Sequence, residues 1–550
     1  MKPTATLKRQ RPAGESLVWF TASALGICLL MIGGLIAVIL TNGLGFFWPR
    51  PLVQFTLKDG SKRLAEVSVH EGIPNPGHPD HLVNKRTLLK VGNRDLLGVD
   101  FEWVNDAEIV NREQPKDAWF VERREYGPFI GFPVRFMESG REIAASAGVA
   151  ELLGARLEAA EADREAIRRL EKDEIGAINF RLERARLAAK ALDRKALASP
   201  GAPSQQSERD VLAATVAEQQ KLYEARQAEL ATVVEKAGAS ALVLRSASGE
   251  EKEIRLLDIF RAYPANTLSW FDRASIYSSR LGGFLWDDPR EANTEGGIFP
   301  AIFGTVMMVF LMTLVVVPTG VLAALYLREY AAQSVLVRIV RIAVNNLAGV
   351  PSIVFGVFGL GFFVYMVGGS IDRAFYADAL PTPTYGTGGI LWASLTLALL
   401  TVPVVIVASE EALSAVPRSI REASLALGAT KFQTILRVVL PSAAPGILTG
   451  LILAMARGAG EVAPLMLTGV VKLAPDLPLD GVFPFFHLDR KFMHLGFHIY
   501  DVGFQSPNVE AAKPMVYMTT IFLLLIVILL NLTAIIVRNR LRRRFQTSAF

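Results

Sequence analysis

The sequence has little that could support covalent cross-linking or catalysis. Its 550 residues include one cysteine, Cys28, so an intrachain disulfide is excluded and the folded parts must be held by packing. The dipeptide Gly-Lys is absent, which excludes the usual G-x-x-x-x-G-K-[ST] cradle for nucleotide phosphates. The G-x-S-x-G elbow of hydrolases and the H-E-x-x-H helix of zinc proteases are also missing. These absences argue against an enzyme, and any nucleotide hydrolysis that drives the molecule must come from another subunit.

Long apolar runs, in contrast, are abundant. Hydrophobic residues make up 51% of the chain and the mean hydropathy is +0.33, an excess that indicates membrane segments in a chain of this length. The first run is too long for the core of a signal peptide, so we interpret it as a retained anchor that follows residues 1–17. Six runs reach the roughly 20 residues that a span needs: Val18–Thr41, Ile298–Leu327, Ile342–Val367, Ile390–Ala408, Gly446–Val470 and Met515–Val537.

Basic residues set the expected orientation of these spans. With six spans, all of the basic clusters between and beyond them fall on one side, which the positive-inside rule assigns to the cytoplasm. Both termini are therefore expected to be cytoplasmic, including a tail at 541–550. The net charge of +5 follows from this topology, and no basic patch interleaved with aromatics indicates nucleic-acid binding. The clusters are Lys2, Lys8, Arg9 and Arg11; Arg328, Arg338 and Arg341; Arg418, Arg421, Lys431 and Arg437; and Arg538, Arg540 and Arg542–Arg544.

Residues 42–297 are predicted to form a large external domain of mixed α and β structure. Apolar residues at helical spacing over 151–237, interrupted by Ser-Pro-Gly-Ala-Pro at 199–203, predict a coiled-coil-like helical hairpin. Its role stays open between a stabilising spacer and a docking surface. Strand patterns flank it on both sides: a β-hairpin of Val53–Leu57 and Leu64–Val69, strand segments at Leu88–Val91 and Leu96–Val104, and a second β-hairpin of Leu242–Arg245 and Glu253–Leu257.

The histidines do not indicate a metal site. One group, His70, His78 and His81 with Asp80, lies among glycines and prolines without the spacing of metal ligands. A second group falls in an external loop, where we expect surface positions as well. We therefore predict neither a metal nor a cofactor. The members of the second group are His487, Asp489, His494 and His498.

A charged loop at 410–441 separates the fourth and fifth spans. Its pattern predicts two short helices that meet near Gly428, because glycine permits the positive φ that ends a helix, while Pro441 limits the second helix. An amphipathic loop of this kind either lies on the lipid surface or docks into a groove on a cytoplasmic partner.

This loop resembles the EAA loop of ABC importer permeases, whose pattern is EAA-(x)3-G-(x)9-I-x-LP. Ser424 and Val438 are conservative departures from that pattern. Over residues 298–540 the chain resembles phosphate permeases of the PstA type, in NLAGVPSIVFG at 346–356, in residues 395–413, and in RGAGEVAPL at 457–465. The last stretch matches the signature R-x-x-G-E-T-A-P-L with Val462 in place of threonine. The loop residues that match, and to which the resemblance assigns coupling to an ATPase, are Glu422, Ala423, Ser424, Gly428, Leu440 and Pro441.

The resemblance implies an all-α polytopic membrane protein with six transmembrane helices, like a type I ABC importer permease. Five helices would form the permease domain at 298–540, and the external α+β domain with its helical hairpin would follow the first helix at 18–41. The expected place is a bacterial cytoplasmic (inner) membrane. The expected partners are a homologous second permease subunit, two ATP-binding subunits and a periplasmic phosphate-binding protein. The expected cargo is inorganic phosphate.

An arginine and a glutamate stand inside the fifth apolar run. Arg457 would lie near the middle of that span, where a central arginine costs at least about 3 kcal/mol unless it faces protein or water. Glu461, four residues on, would share its helical face. The pair is either an internal ion pair that locks two helices or part of an anion pathway, in which Arg457 binds phosphate oxygens and Glu461 accepts a hydrogen bond from a protonated phosphate. Arg421 belongs either to that pathway, near its cytoplasmic mouth, or to the coupling surface.

Two alternative functions stay open at the level of sequence. The chain could be an ABC permease for another oxyanion, such as sulfate or molybdate. It could also be a membrane-anchored sensor or scaffold that acts through its external domain, with the spans serving only as anchors.

Overall fold

A computed structural model describes residues 15–75, 78–198, 206–506 and 509–546. Among these residues, six helices are long and apolar enough to cross a membrane, which agrees with the predicted number. A β-rich domain with a long helical arm lies between the first and the second of them. The six helices are Val18–Phe47, Phe299–Tyr330, Ser352–Phe375, Ile390–Ser414, Lys431–Gly460 and Ala512–Arg543. The predicted N-terminal segment falls largely outside the described residues, as does the Pro-containing break at 199–203.

Seventeen α-helices are found in the described part of the chain. Five π-helical segments continue or join them, at Arg169–Ile175, Tyr326–Tyr330, Gly359–Gly368, Ile435–Val439 and Asp501–Gln505. The α-helices are α1 Glu15–Leu44, α2 Arg94–Leu97, α3 Ser146–Arg168, α4 Gly176–Ala198, α5 Gln206–Gly238, α6 Trp270–Trp286, α7 Phe299–Leu325, α8 Val335–Leu347, α9 Ser352–Phe358, α10 Gly369–Phe375, α11 Ile390–Ser414, α12 Arg418–Ala426, α13 Lys431–Thr434, α14 Leu440–Gly460, α15 Ala463–Thr468, α16 Leu495–Tyr500 and α17 Val509–Gln546.

The strands of the β-rich domain form two antiparallel sheets and a small ribbon. The first sheet has the strand order β4-β3-β2-β1-β5, and the second has the order β10-β9-β7-β6-β11 with β8 paired to β7. The strands are β1 Leu52–Leu57, β2 Lys62–Asn75, β3 His78–Lys90, β4 Phe101–Asn105, β5 Ile109–Glu113, β6 Trp119–Arg123, β7 Phe129–Glu138, β8 Arg141–Ala145, β9 Ser240–Arg245, β10 Glu251–Arg255, β11 Ile259–Pro264, β12 Pro289–Arg290 and β13 Glu295–Gly296.

Both predicted β-hairpins are confirmed. In the first, β1 pairs with β2 from Leu52 opposite Glu66 to Thr56 opposite Lys62. Its turn forms because Gly60 adopts a φ of +82° and the carboxylate of Asp59 accepts hydrogen bonds from the backbone N–H and the hydroxyl of Ser61. The second hairpin pairs β9 with β10.

The predicted strand over 96–104 is wrong in its first half. Residues 94–97 form the single helical turn α2, and only the later part, from Phe101, is a strand. Asn93 and Gly98 flank this turn with φ values of +56° and +74°, and these left-handed residues bend the chain too sharply for an extended strand. The strand segment at 88–91 is confirmed as the end of β3.

Asn93 also connects the two sheets of the domain. Its buried amide donates to the carbonyl oxygen of Ile130 at 2.9 Å and accepts from the N–H of Ile130 at 2.7 Å. The side chain therefore makes the two hydrogen bonds to β7 that the backbone of a neighbouring strand would make.

We predict that Asn93→Ala destabilises this region by about 2–4 kcal/mol, because two buried backbone groups lose their partners and alanine adopts positive φ poorly. Hydrogen exchange of peptides from 119–138 should become faster in the purified full chain. The exposed control Asn111→Ala should leave it unchanged, and unchanged exchange in both variants would contradict the assignment.

The helical arm is rooted in the second sheet. Val149 and Leu153 of α3 pack against Phe129, Phe136 and Leu242 of that sheet. The arm runs out through α3, a π-helical segment and α4, and α5 returns beside it. Two ion pairs at 2.8 Å tie the outgoing and returning helices together: Arg226 with Glu174, and Arg209 with Asp193.

The far part of the arm contacts the helical bundle. The guanidinium of Arg194, four residues before the end of α4, lies 3.3 Å from the carboxylate of Asp378. Asp378 belongs to the connection between the third and the fourth candidate spans. The arm therefore joins the β-rich domain to a loop of the bundle.

The bundle is packed around α7, α11 and α14. Small residues allow close approach: a Cβ at Gly446 would lie 2.5 Å from the Cβ of Ala412, and one at Gly450 would lie 2.3 Å from the Cβ of Ala408. Close packing of this kind, rather than hydrophobic burial, is what holds helices together in lipid. The core of the bundle includes Met308, Leu397 and Ala454.

Two predicted span boundaries are wrong. The third span begins at Ser352 and not at Ile342, because 335–347 forms the separate helix α8, which ends before Pro351. The predicted fifth span, Gly446–Val470, is likewise not one helix. Its helix starts at Lys431 and ends at Gly460, and α15 follows as a separate helix. Pro464 explains this end, since its ring would clash with the carbonyl of Gly460, four residues earlier.

Candidate functional site

The predicted loop between the fourth and fifth spans is present, but only its first helix is short. Pro441 does not end the second helix, which continues to Gly460. The first helix, α12, ends at Ala426, and Gly428 follows it with a φ of +86° and an N–H that donates to the carbonyl oxygen of Leu425 at 3.0 Å. Thr430 and Gln433 then form a capping box at the start of α13. From Lys431 the chain stays helical to Gly460, so the loop passes into the fifth span without a break.

The outer face of this loop is open. Glu422 and Ala423 are exposed, and Leu425, Leu427 and Phe432 are exposed beside them, Leu427 at 89%. An apolar patch next to a carboxylate is suited to a protein groove, which buries the first and pairs the second.

The inner face of the loop holds it in place. The hydroxyl of Ser424 lies 3.0 Å from that of Thr434, which joins α12 to α13. Leu440 and Pro441 are half-buried where the π-helical segment Ile435–Val439 passes into α14.

Arg421 is the central contact of that inner face. Its guanidinium donates to the carbonyl oxygens of Val416 and Leu413 at 2.7 and 2.6 Å, and forms an ion pair with Glu329 at 3.0 Å. A second ion pair of 3.1 Å joins Arg341 of α8 to Glu410 of α11. These contacts of Arg421 thus fasten the loop to the ends of the second and fourth spans.

Sequence reasoning missed the two glutamates of these ion pairs. Glu329 follows directly after the second apolar run, and Glu410 ends the fourth. A signal for both ion pairs is present in the sequence. A carboxylate stands at the end of each of these two spans, and arginines stand on the segments that follow them.

Arg457 and Glu461 come together at the end of α14. The Nε of Arg457 lies 3.5 Å from Oε1 of Glu461, and their side chains are 34% and 21% exposed. Arg457 occupies the last helical turn, where the backbone carbonyls favour a cation. The prediction of a mid-span position is therefore wrong. Glu461 lies beyond the helix in an extended conformation (φ −79°, ψ 135°), so the two residues do not share a helical face.

The break after Gly460 lies where several spans converge. Gly458 faces Met312 of α7, and a Cβ there would lie 2.6 Å from its sulfur. Gly356 of α9 approaches α15 so closely that a Cβ would lie 2.7 Å from the Cα of Pro464. The N–H of Gly389, just before α11, donates to the carbonyl oxygen of Thr468 at the end of α15. The arginine–glutamate pair is thus held at a junction of the second, third and fourth spans.

The prediction that His494 and His498 lie exposed in a loop is wrong. They are 0% and 2% exposed, at the start of and within α16. Burial lowers the pKa of His494 to about 3, and burial together with the charge of Lys472 lowers that of His498 to about 4, so both rings are neutral at pH 7. His487 lies 2.9 Å from Asp480.

The described residues contain no group of three or more histidine, cysteine, aspartate or glutamate side chains placed to hold a metal ion. His70 instead bonds to the hydroxyl of Thr87 at 2.9 Å. The side chains of His78, Asp80 and His81 lie outside the described part of the structure.

Known proteins similar to this chain show the family to which it belongs. The profile of the family described as "Binding-protein-dependent transport system inner membrane component" matches residues 316–547. The probable ABC transporter permease protein YqgI of Bacillus subtilis is 32% identical over 223 residues, which cover 39% of this chain and 70% of that protein. The chain belongs to this family of transport system inner membrane components.

Other relatives show that the permease is of the PstA type. Phosphate transport system permease protein PstA 1 of Mycobacterium tuberculosis is 36% identical over 199 residues, 36% of this chain and 58% of that protein. The probable phosphate transport system permease protein PstA of Methanocaldococcus jannaschii is 37% identical over 191 residues, 34% of this chain and 61% of that protein. The permease thus spans about three fifths of the length of these two relatives. The resemblance read from the loop and from RGAGEVAPL is confirmed.

Proposed function

We propose that this permease is a subunit of an ATP-driven importer of inorganic phosphate. One observation carries the proposal: an exposed loop with the EAA pattern continues as unbroken helix into a span that ends at a partly exposed arginine and glutamate. The loop supplies a surface on which a partner can push, and the pair supplies groups that recognise an oxyanion. Relatives named as phosphate permeases support phosphate as the cargo.

The loop surface is the proposed contact with an ATP-binding subunit. Glu422 and Ala423 would lie in the contact, and Gly428 would set the angle between the two short helices. Ser424, Leu440 and Pro441 would keep that angle by joining the loop to the span. We assign Arg421 to this coupling surface as well, because its hydrogen bonds and its ion pair with Glu329 fasten the loop to neighbouring spans.

Arg457 and Glu461 are the proposed pathway residues. A guanidinium binds two oxygens of a phosphate through parallel hydrogen bonds, and its charge balances that of the anion. A carboxylate accepts a hydrogen bond from a protonated phosphate but repels sulfate, which carries no proton at neutral pH. Their contact of 3.5 Å is longer than a hydrogen bond, and both side chains are partly exposed, so an anion can compete for the arginine.

The proposed setting is a bacterial cytoplasmic (inner) membrane with both termini in the cytoplasm. Residues 42–297 would then form an external, periplasmic domain, and 298–540 would form the permease domain. The proposed partners are a homologous second permease, two ATP-binding subunits and a periplasmic phosphate-binding protein. ATP binding would push the loop and open the pathway outward for phosphate from the binding protein, and hydrolysis would allow release inward.

Uptake in cells without their own phosphate permease tests the cargo. We predict that cells expressing this chain with its partner subunits take up radiolabelled phosphate, and that unlabelled phosphate competes while sulfate and molybdate at the same concentration do not. The physical reason is the carboxylate of Glu461, which tolerates only a protonated oxyanion. Competition by sulfate or molybdate would favour a permease for another oxyanion. Absence of any uptake, with the complete complex present in the membrane, would favour a sensor or scaffold.

A further inference from the structure

A cavity of about 410 Å³ lies where the β-rich domain meets the ends of the first and last spans. Its walls come from the end of the first span, the sheets, α6, the β12–β13 ribbon and the start of α17. Aromatic rings such as Phe46, Phe120 and Phe260 form part of the lining. The volume suits a small ligand, and cavities that combine an apolar lining with a few polar groups are typical binding sites.

Arginines are concentrated around one of these rings. The guanidinium carbons of Arg124, Arg261 and Arg290 lie 5.2, 5.2 and 4.0 Å from the centre of the Phe260 ring. Such stacking stabilises cations and fixes their orientation, but it leaves their N–H groups in need of acceptors.

Three carboxyl groups, those of Glu161, Glu122 and Asp287, lie near these cations. Burial raises the pKa of Asp287, which favours its neutral form, although the three arginines oppose this shift. Arg124 pairs with Glu161, while Arg261 must share Glu122 with Arg280. Burial by itself disfavours an ionised Glu122, yet these two arginines hold its pKa below the ordinary value, so its charge is already committed. Among the described residues Arg290 forms no ion pair, and its buried Nε and Nη1 have no hydrogen-bond acceptor.

A lysine adds to this excess on the cavity wall. Lys90 points its ammonium at the Phe120 ring, 5.4 Å from the ring centre, and forms no ion pair within the described ranges. Glu295 is the residue paired with Arg290 in the β12–β13 ribbon. Burial raises the pKa of Glu295, which favours a neutral carboxyl that can donate a hydrogen bond instead of neutralising the cations.

We propose that this cavity binds a phosphate-type oxyanion through Arg290 and Lys90. A tetrahedral oxyanion offers acceptors to the unpartnered N–H groups of Arg290 and a negative charge to Lys90, while the aromatic lining excludes water. The same chemistry belongs to free inorganic phosphate and to the headgroup of a phospholipid, which the neighbouring spans would bring within reach. The site lies outside the transport signature at 457–465. The β-rich domain would therefore have a ligand-binding role of its own.

Binding to the purified full chain in maltoside detergent tests the proposal with two probes. The first is radiolabelled inorganic phosphate, measured in the Arg457→Gln background so that the proposed pathway site does not contribute. The second is a short-chain phosphatidylglycerol at concentrations below micelle formation. Binding of the first probe identifies a free anion as the ligand, and binding of the second alone identifies a lipid headgroup.

Substitutions of Arg290 test whether the probe binds in this cavity. Arg290→Gln should weaken binding of the active probe about tenfold or more, and Arg290→Lys should weaken it less, because it keeps the charge but loses the fork. Arg186→Gln, on the exposed arm, is the matched control and should bind normally. Val69→Trp, at an exposed rim position, should reduce binding by filling space without changing charge. Equal binding by Arg290→Gln and the control, or binding of neither probe, would overturn the proposal.

Discussion

Arg457→Gln is expected to reduce phosphate uptake at least about tenfold in cells where the variant reaches the membrane at the normal level. Glutamine fills a similar volume and keeps some hydrogen-bonding capacity, but it removes the charge and the fork that are proposed to hold the oxyanion, a loss of about 1.5–3 kcal/mol or more. Glu461 would then stand without its cation beside the path of an anion, which adds repulsion. The measurement is the initial rate of radiolabelled phosphate uptake against concentration.

Two further variants separate binding of phosphate from a merely structural ion pair. Arg457→Lys keeps the charge without the fork and should retain part of the uptake. The exchanged pair Arg457→Glu with Glu461→Arg restores the ion pair but moves the cation beyond the helix end, so uptake should stay low. Full recovery in the exchanged pair would show that the two residues serve only each other.

Gly428→Pro is expected to reduce uptake to the background of cells without the permease. Proline fixes φ near −65°, whereas this position has a φ of +86°, and it removes the N–H that donates to Leu425. The angle between α12 and α13 would change, and the surface around Glu422 would no longer fit its partner. Since the proposed coupling depends on this single surface, loss of its shape should uncouple transport altogether.

The matched control is an asparagine at the same position. Asparagine tolerates the left-handed region better than other residues with a side chain, and no atom lies within 4 Å of the place its Cβ would occupy. Gly428→Asn should therefore keep most of the uptake. Equal loss in both variants, with both proteins present in the membrane, would point to contact with the glycine itself, and normal uptake in Gly428→Pro would refute the coupling role.

The parts of this fold that depend on local chemistry could be read from the sequence. Six spans follow from apolar runs of sufficient length, and the first β-hairpin follows from Asp59 and Gly60, which build its turn without help from the rest of the chain. The two-helix loop follows from Gly428 in the same way. In each of these cases the signal and the structure it specifies lie within a few residues of each other.

The span boundaries that were predicted wrongly lie where neighbouring sequence signals compete. Apolar residues continue on both sides of Glu461, so hydropathy averaged over a window joins two helices that Pro464 separates. Residues 342–347 are likewise apolar enough to extend a span, yet they belong to a helix of their own.

The remaining differences between the sequence predictions and the structure arise from tertiary packing. His494 and His498 look like residues of a polar loop, and only the packing of α16 against α7 and α17 places them inside. The cluster of arginines around Phe260 is also invisible in the sequence, because its members are distant along the chain: Arg124 directly follows β6, Arg261 lies on β11 and Arg290 lies on β12.

The unbroken helix from Lys431 to Gly460 has a mechanical consequence. Thirty residues at about 1.5 Å each make a rod of roughly 40–45 Å, with Gly428 just before one end and Glu461 just after the other. Moved as a unit, such a rod would turn a small rotation at the loop into a larger sideways displacement at its far end. The two ends of this rod, at Gly428 and at the break before Pro464, would thus connect motion of the loop to the position of the proposed pathway residue Arg457.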